Sequence, residues 1–171
     1  MCGRFTLTVD AHQIREAFPW ITVPDQLQPR YNVAPSQPVA IIPNDGKNRL
    51  DFYVWGLVPF WAKDPTIGSR MINARGETVD QKPSFKAAFR HRRCLILADG
   101  FYEWKKAPDQ AAKIPMYIKM KDDRPFALAG LWETWHAPDG SDLFTCTIIT
   151  TEPNDLLKDL EKYAHCNLLL I

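Results

Sequence analysis

The chain has 171 residues, of which 46% are hydrophobic and 24% charged, and its formal net charge is +1. This composition is typical of one globular domain over residues 1–171, and it excludes a disordered or fibrous protein. The balanced charge excludes binding to a polyanion through net charge alone, so a nucleic-acid surface must come from local clustering of basic residues.

Cysteine spacing and hydrophobic run length narrow the classes further. The four cysteines lie far apart with no CxxC pair, which argues against a structural zinc site or a disulfide framework. No run approaches the roughly 18 apolar residues of a membrane helix, and the N-terminus lacks the layout of a signal peptide. We therefore expect a cytoplasmic protein without a metal, a cofactor or a membrane partner.

Short runs rich in β-branched and aromatic residues recur along the chain and predict strands. In chain order they are Val39–Pro43, Leu50–Trp55, Cys94–Ala98, Met116–Met120, Phe126–Trp132 and Phe144–Thr150. The dipeptides Asp45-Gly46 and Asp139-Gly140 predict turns between them.

Helix signals are fewer than strand signals. They predict helices at Asp10–Phe18 behind an Asp cap, at Ser84–Phe89 behind Pro83, and at Glu152–Tyr163. Because strands predominate, we expect an α+β fold of mainly antiparallel strands that curl into a barrel, with a few peripheral helices.

The opening residues MCGRF place Cys2 directly behind the initiator methionine. Removal of Met1 would leave an α-amine and a thiol on one residue, and both groups are partly nucleophilic near neutral pH. The alternative is that a small residue at position two has no function, and this motif alone does not decide between them.

Aromatic residues beside glycine and proline form a second group of motifs. In Trp55–Trp61 (WGLVPFW) the rings could form a stacking platform for unpaired bases, and we expect Trp55 in the core and Trp61 outside it. In Arg30–Pro35 (RYNVAP), a loop or strand edge, the Arg and Asn side chains could simply satisfy backbone groups.

Basic residues cluster between residues 82 and 93, where no acid occurs. The cluster consists of Lys82, Lys86, Arg90, His91, Arg92 and Arg93, and Arg70 and Arg75 precede it. It suits contacts with a phosphate backbone, although a solvated charged face has the same composition.

Acidic residues follow an apolar strand in Ala98–Trp104 (ADGFYEW). A carboxylate at a strand end among aromatic rings has a pKa raised by desolvation and can act as an acid or base. Asp99 could instead cap a turn, and Glu103 could be solvated.

Taken together and in order, MCGRF, RYNVAP, WGLVPFW, INARGET and ADGFYEWKK resemble the SOS response-associated peptidase (SRAP) family. The resemblance runs from residue 2 to about residue 160 and implies a barrel-like SRAP fold. It implies a protein that binds single-stranded DNA at an abasic site and crosslinks to it, shielding the lesion during the DNA damage response. The amine and thiol of Cys2 would close a thiazolidine on the ring-opened sugar, and we expect a monomer that is nucleoid-associated when bound to DNA.

The resemblance also implies roles for individual residues. The catalytic set is Cys2 as nucleophile, Asn73 to orient the sugar, and Glu103 to move protons. With the basic cluster, the expected DNA contacts are Arg4, Asn32, Pro35, Trp61, Arg70, Arg75, Lys82, Lys86 and Thr150. Autoproteolysis and weak lyase activity are further expectations.

The C-terminal sequence departs from the family pattern, in which a catalytic histidine precedes Arg-Met-Pro. Glu161 stands at the histidine position, and His165 follows one helical turn later. We expect the family's C-terminal part to be missing or altered after about residue 160, so that apolar surface is exposed and crosslinking is slower. A frameshift in the gene is one explanation, and the alternative is that His165 substitutes for the family histidine.

Three other interpretations remain open. The protein could be a non-catalytic binder of single-stranded or modified-base DNA, because the family histidine is replaced. It could be an N-terminal-nucleophile amidohydrolase with Cys2 as nucleophile, although this leaves the basic cluster unexplained. It could also be a pseudogene product that barely folds.

Overall fold

The computed structural model describes residues 3–106, 113–152 and 167–168. In chain order the elements are β1 (Phe5–Leu7), α1 (Ala11–Ala17), β2 (Arg30–Val33), β3 (Pro38–Pro43), β4 (Asp51–Trp55), a 3₁₀ helix (Pro65–Arg70), β5 (Asn73–Arg75), α2 (Lys86–His91), β6 (Arg93–Ala98), β7 (Gly100–Lys106), β8 (Lys113–Lys119), β9 (Phe126–His136), β10 (Asp142–Thr151) and β11 (Asn167–Leu168).

Five strands close into a barrel in the order β10, β4, β3, β6, β9 and back to β10. The β10–β4 pairing is parallel, and the other pairings of the ring are antiparallel. β5 adds a second parallel pairing along the later part of β10, and β11 pairs antiparallel with its end. The expected α+β fold, a mainly antiparallel barrel with few helices, is confirmed.

β3, β6 and β9 are buried along most of both faces, whereas β4 has one buried face and exposes Phe52 on the other. Alternate residues form one interior cluster that includes Ile41, Tyr53, Ile96, Leu128 and Ile148. The residues between them are covered by α1 on one side and by α2 on the other. A strand buried on both faces has a continuous apolar sequence, which explains why these strands were predictable.

A second sheet has the order β2, β1, β7, β8 and packs against the barrel interior. Phe5 of β1 contacts Trp55 with ring centroids 5.2 Å apart, and Phe101 of β7 contacts Phe126 at 6.5 Å. These rings join the interior cluster, so the residues next to them are held at fixed positions relative to the barrel.

The local predictions are largely confirmed. Every predicted strand forms with shifted ends, and the two predicted turns contain Gly46 and Gly140 at φ of 79° and 86°. Asp10 caps α1 in a capping box with Gln13, whose side-chain oxygen accepts from the Asp10 amide at 3.1 Å. α2 begins at Lys86, two residues later than predicted.

Some elements were not predicted, and others lie outside the described residues. β1, β5, β7 and β11 were not predicted as strands, whereas RYNVAP, expected as a loop or strand edge, forms the edge strand β2. The predicted helix at Glu152–Tyr163 lies outside the described residues apart from Glu152, and so do Glu161, His165 and Cys166. No helix among the described residues has the length and hydrophobicity needed to cross a membrane.

Candidate functional site

β1 and β7 bring the beginning of the described chain next to Glu103. Phe5 pairs with Phe101 and Thr6 with Gly100, and the Tyr102 amide donates to the Arg4 carbonyl at 2.9 Å. The next residues along this antiparallel register are Gly3 and Glu103. Cys2 lies outside the described residues and directly precedes Gly3 in the sequence.

β2 flanks the same segment from the other side. Val33 pairs with Phe5, so the chain after Val33 runs beside the residues that precede Phe5. This places Pro35, which is half-buried, on the side of Gly3 opposite β7, while Asn32 is exposed on the edge strand. Arg4 is half-buried, and its guanidinium donates to the Gly3 carbonyl at 2.7 Å.

Glu103 has the environment of a proton donor. Its side chain is 3% exposed, and its Oε1 is buried without a hydrogen-bond partner among the described residues. Burial raises the pKa of this carboxyl, and the Trp104 amide and the positive charge of Lys113 oppose that rise. The prediction of a desolvated carboxyl is confirmed, but its position was wrong, because Glu103 lies within β7 and not at a strand end.

β5 supplies the INARGET residues beside β10. Asn73 is half-buried and pairs with Ile148 in the parallel register, and Arg75, which is exposed, pairs with Thr150. Thr150 is buried, and its carbonyl accepts from the Gly76 amide at 2.7 Å. The Thr150 hydroxyl donates to the Ala74 carbonyl at 3.5 Å, so this side chain supports β5.

The WGLVPFW motif separates into a core residue and an exposed loop tip. Trp55 is fully buried and donates from its indole to the Ile72 carbonyl at 2.8 Å, whereas Trp61 is 49% exposed. The loop is fixed at both ends, because the Val58 amide donates to the Thr145 hydroxyl at 3.0 Å and the Trp135 indole donates to the Ala62 carbonyl at 2.7 Å.

A close glycine contact joins this loop to the 3₁₀ helix. A Cβ on Gly56 would lie 2.6 Å from the Gly68 carbonyl oxygen, so no side chain fits between the two backbones. The contact places Trp61 and Arg70 on one groove of about 480 Å³, which Lys63 and Asp64 also line. An exposed ring beside a guanidinium is suited to stacking a base and contacting its phosphate.

The basic cluster divides according to its partners. Lys82, Lys86, Arg90 and Arg93 are exposed and have no ion pair within the described residues. Arg92 pairs with the buried Glu133 at 2.7 Å, so its charge is neutralised inside the fold. Arg92 is therefore a structural residue, contrary to its inclusion in a phosphate-binding cluster.

Three residues that contribute to this site were not predicted from the sequence. Lys113 places a positive charge near Glu103, and Gly56 and Gly68 hold the Trp61 loop on the 3₁₀ helix. The glycine in WGLVPFW was the available signal for the close approach, but its partner is not identifiable from the sequence. In the described part of the chain, no three His, Cys, Asp or Glu residues come together to hold a metal ion.

A family model described as SOS response associated peptidase (SRAP) matches residues 1–164 of this chain. The chain belongs to the SRAP family. The five motifs that carry the resemblance all lie within the matched residues, so the family assignment made from them is confirmed.

Relatives of this SRAP chain carry related names. Abasic site processing protein YoqW of Bacillus subtilis is 52% identical over 163 residues, which cover 94% of this chain and 72% of that protein. Abasic site processing protein HMCES of Rattus norvegicus is 31% identical over 208 residues, covering 94% of this chain and 59% of that protein.

Two solved structures share the fold of this chain. A crystal structure of a protein from Bacteroides thetaiotaomicron superposes with a TM-score of 0.89 at 27% identity, covering 99% of this chain and 77% of that one. A phage-related protein from Bordetella bronchiseptica superposes with a TM-score of 0.68 at 29% identity, covering 91% of this chain and 70% of that one.

Proposed function

We propose that this SRAP protein, acting as a monomer, binds single-stranded DNA at abasic sites and becomes covalently linked to it through Cys2 once Met1 is removed. The names of its relatives support DNA with abasic sites as the partner. The observation that carries the proposal is the position of Glu103, a buried carboxyl with a raised pKa. When the β1–β7 register is continued, Glu103 lies opposite Gly3, the residue that follows Cys2.

The proposed link needs no oxidant or metal. The Cys2 amine adds to the aldehyde carbon of the ring-opened sugar, and water leaves as the imine forms. The Cys2 thiol then adds its sulfur to the same carbon, and its proton ends on the nitrogen. The product is a thiazolidine, and the net loss is one water molecule.

Glu103 has a defined part in these steps. Its raised pKa keeps a proton on the carboxyl at higher pH than an exposed glutamate would, so it can donate to the sugar ring oxygen or to the departing hydroxyl. An acid of this kind accelerates such a step by about 10²–10⁴-fold. We propose that Asn73, half-buried beside β10, orients the sugar.

The surrounding surface accounts for DNA binding in this proposal. Trp61 stacks on an unpaired base in the groove it shares with Arg70, and the exposed Arg75 contacts a neighbouring phosphate. Lys82 and Lys86 extend the contact along the DNA backbone. Arg4, Asn32 and Pro35 contact the DNA beside the residues that follow Cys2.

Two weaker activities belong to the same proposal. The imine intermediate activates the neighbouring carbon of the sugar, so loss of its proton expels the 3′ phosphate and cuts the strand. The second activity is self-processing by Cys2, which would cleave the chain directly before this residue and free its α-amine. Both are measured by intact mass, of the DNA in the first case and of the protein in the second.

The test is a denaturing gel of Met1-processed protein mixed with single-stranded DNA that contains one abasic site. We expect a covalent band that forms without borohydride and whose mass equals protein plus DNA minus one water. Cys2→Ala should abolish the band, and Glu103→Gln should slow it by about 10²–10⁴-fold. Glu16→Gln, the same change on the exposed face of α1, serves as the matched control and should leave the rate unchanged.

Other outcomes identify the competing functions. A folded wild-type protein that binds this DNA without a covalent band would be a non-catalytic binder. Release of ammonia from glutamine in the absence of DNA, dependent on Cys2 and without a covalent band, would indicate an amidohydrolase. Either result overturns the proposed crosslinking.

A further inference from the structure

Asp99, between β6 and β7, holds the N-terminal strand through its side chain. The carboxylate is 6% exposed, and Oδ1 accepts from the Thr6 hydroxyl at 2.5 Å. Oδ2 accepts from the Thr8 amide at 2.5 Å, the Thr8 hydroxyl at 2.6 Å and the Val9 amide at 3.1 Å. No ion pair of Asp99 occurs within the described residues, so neutral donors of β1 and the residues after it satisfy its charge.

The β1–β7 pairing is short, although its register determines where the residues before Phe5 lie relative to Glu103. β1 has three residues, and its paired positions with β7 are Phe5 with Phe101 and Thr6 with Gly100. A register slip of one residue would move every side chain of a strand to the opposite face. The hydrogen bonds to Asp99 select one register, because they fix Thr6 and Thr8 relative to the start of β7.

Tyr117 of β8 also contacts Thr6. Its hydroxyl lies 2.9 Å from the Thr6 hydroxyl, and its ring packs against Tyr102 with centroids 5.0 Å apart. A Cβ on Gly100 would lie 2.2 Å from the Tyr117 hydroxyl, so the ring occupies the space above this glycine. Thr6 is thereby held from β7 and β8 at once.

This network lies on the opposite face of the sheet from Glu103. Successive side chains of a strand point to opposite faces, so Gly100 and Tyr102 share one face of β7, while Phe101 and Glu103 share the other. Phe101 packs in the barrel interior cluster. Asp99, Thr6 and Tyr117 therefore act on the site through the backbone of β1 and not by contact with the reacting atoms.

We propose that Asp99 and Thr6 are positioning residues for the N-terminal nucleophile, because they lock β1 in the register that delivers the residues before Phe5 to Glu103. This inference rests on the proposed crosslinking function. It assigns a role to the Asp99 carboxylate that is distinct from acid–base catalysis.

The test separates crosslinking rate from DNA binding. Single-turnover crosslinking is measured over a range of concentrations of abasic single-stranded DNA for wild type, Asp99→Asn, Thr6→Val and Thr6→Ser. We expect Asp99→Asn and Thr6→Val to lower the saturating rate by roughly 10–100-fold, since a displacement of about 1 Å has a cost of that order. The half-saturating DNA concentration should not change, and Thr6→Ser, which keeps the hydroxyl, should restore the rate.

Asn44→Ala provides a control for a purely structural effect. The Asn44 side-chain oxygen accepts from the Arg93 amide at 2.9 Å and from the Trp132 indole at 3.1 Å, so it joins the end of β3 to β6 and β9. The substitution removes side-chain hydrogen bonds between strands, as Asp99→Asn does, but outside the β1–β7 ladder and outside the Trp61 loop. At temperatures where all variants are folded, it should lower the melting temperature and leave the saturating rate unchanged.

Hydrogen–deuterium exchange of the peptide covering residues 3–7 gives a readout independent of the chemistry. We expect faster exchange in Asp99→Asn and Thr6→Val and unchanged exchange in Asn44→Ala. If wild type crosslinks and the Asp99 and Thr6 variants crosslink at its rate, the positioning role is wrong and the proposed function stands. If Asp99→Asn does not fold, Thr6→Val decides alone, and unchanged exchange in it overturns the inference. Folded wild type that forms no crosslink overturns both proposals.

Discussion

The barrel and the four-stranded sheet differ in the proportion of apolar side chains that they bury. Inside the barrel, Ile41, Ile96, Leu128 and Ile148 are fully buried, and β3, β6 and β9 are covered on both faces, although β9 and β10 also bury Glu133 and several threonines. In the sheet, most of β8 is exposed, and the buried groups at β1 and β7 include Thr6, Asp99 and Glu103. The barrel gains stability from apolar burial, whereas the sheet depends on hydrogen bonds and on a few aromatic contacts with the barrel.

This difference assigns separate tasks to the two regions. A buried carboxyl such as Glu103 destabilises the region that contains it, and that cost is offset by an apolar core elsewhere. The sheet can therefore hold a desolvated acid and a short strand, because the barrel maintains the fold. The comparison predicts that substitutions in the barrel change stability and that substitutions in the sheet change chemistry.

The largest expected effect is the loss of barrel core volume. Leu128→Ala should lower the free energy of unfolding by about 2–5 kcal/mol, because it leaves a cavity among side chains that cannot move to fill it. Ile114→Ala in β8, where the side chain is 48% exposed, should change it by about 0.5 kcal/mol or less. Urea unfolding of both variants measures the difference, and equal losses would contradict the division between the two regions.

The next expected effect concerns DNA affinity, which we propose depends on the Trp61 loop that follows β4 of the barrel. Trp61→Ala should weaken binding to single-stranded DNA by about 1–3 kcal/mol through loss of a stacked base. Trp20→Ala is the matched control, because this ring is 51% exposed but lines a different groove. Fluorescence anisotropy with a non-reactive tetrahydrofuran abasic analogue measures both affinities, and a similar loss in the two variants would show that Trp61 has no specific contact.

A smaller effect is expected at Gly100 in the sheet. Gly100→Ala should displace the Tyr117 ring and break its hydrogen bond with Thr6, at a cost of roughly 0.5–1.5 kcal/mol. In a Tyr117→Ala background the same substitution should cost less, since the space above Gly100 is then open. Thermal unfolding of the four proteins forms a double-mutant cycle, and a coupling energy near zero would refute the contact as the cause.

The smallest effect is the pH dependence of stability contributed by Glu103. Because burial raises its pKa above the ordinary 4.5, the folded protein binds this proton more tightly than the unfolded chain does. The stabilisation is therefore full below pH 4.5 and is lost as the pH rises through the folded-state pKa. Glu103→Gln has no carboxyl that titrates at this position. The stability of this variant relative to wild type should therefore increase from pH 4 to pH 7 in urea titrations, and a constant difference would contradict the raised pKa of Glu103.

The barrel was predictable because its strands carry local signals. A run such as Cys94–Ala98 is apolar at every position, since α1 and α2 cover what the barrel interior does not. The Asp-Gly turns carry signals of the same local kind. β1 and β7 carry no such local signal, because they are defined by the pairing of Phe5 with Phe101, two residues far apart in the sequence.

The sequence suggests which residues form the candidate site but not how they are arranged. Ordered motifs made Glu103 and Asn73 candidates, and desolvation of an acid among aromatic rings followed from its neighbours in the sequence. The burial of Thr150, the pairing of Arg92 with Glu133 and the Gly56–Gly68 approach depend on residues distant in the chain. No spacing in the sequence encodes them, so only the fold shows them.

The parallel pairing of β10 with β4 has a consequence for folding during synthesis. Thr145 pairs with Val54, so the ring cannot close until the chain has been made through β10. At about 5–20 residues per second, the ribosome exposes β3, β4 and β6 for several seconds before their last neighbours arrive. During that interval the open strand edges are available to other chains, so we expect the yield of native protein to depend on chaperones that shield nascent β-strands.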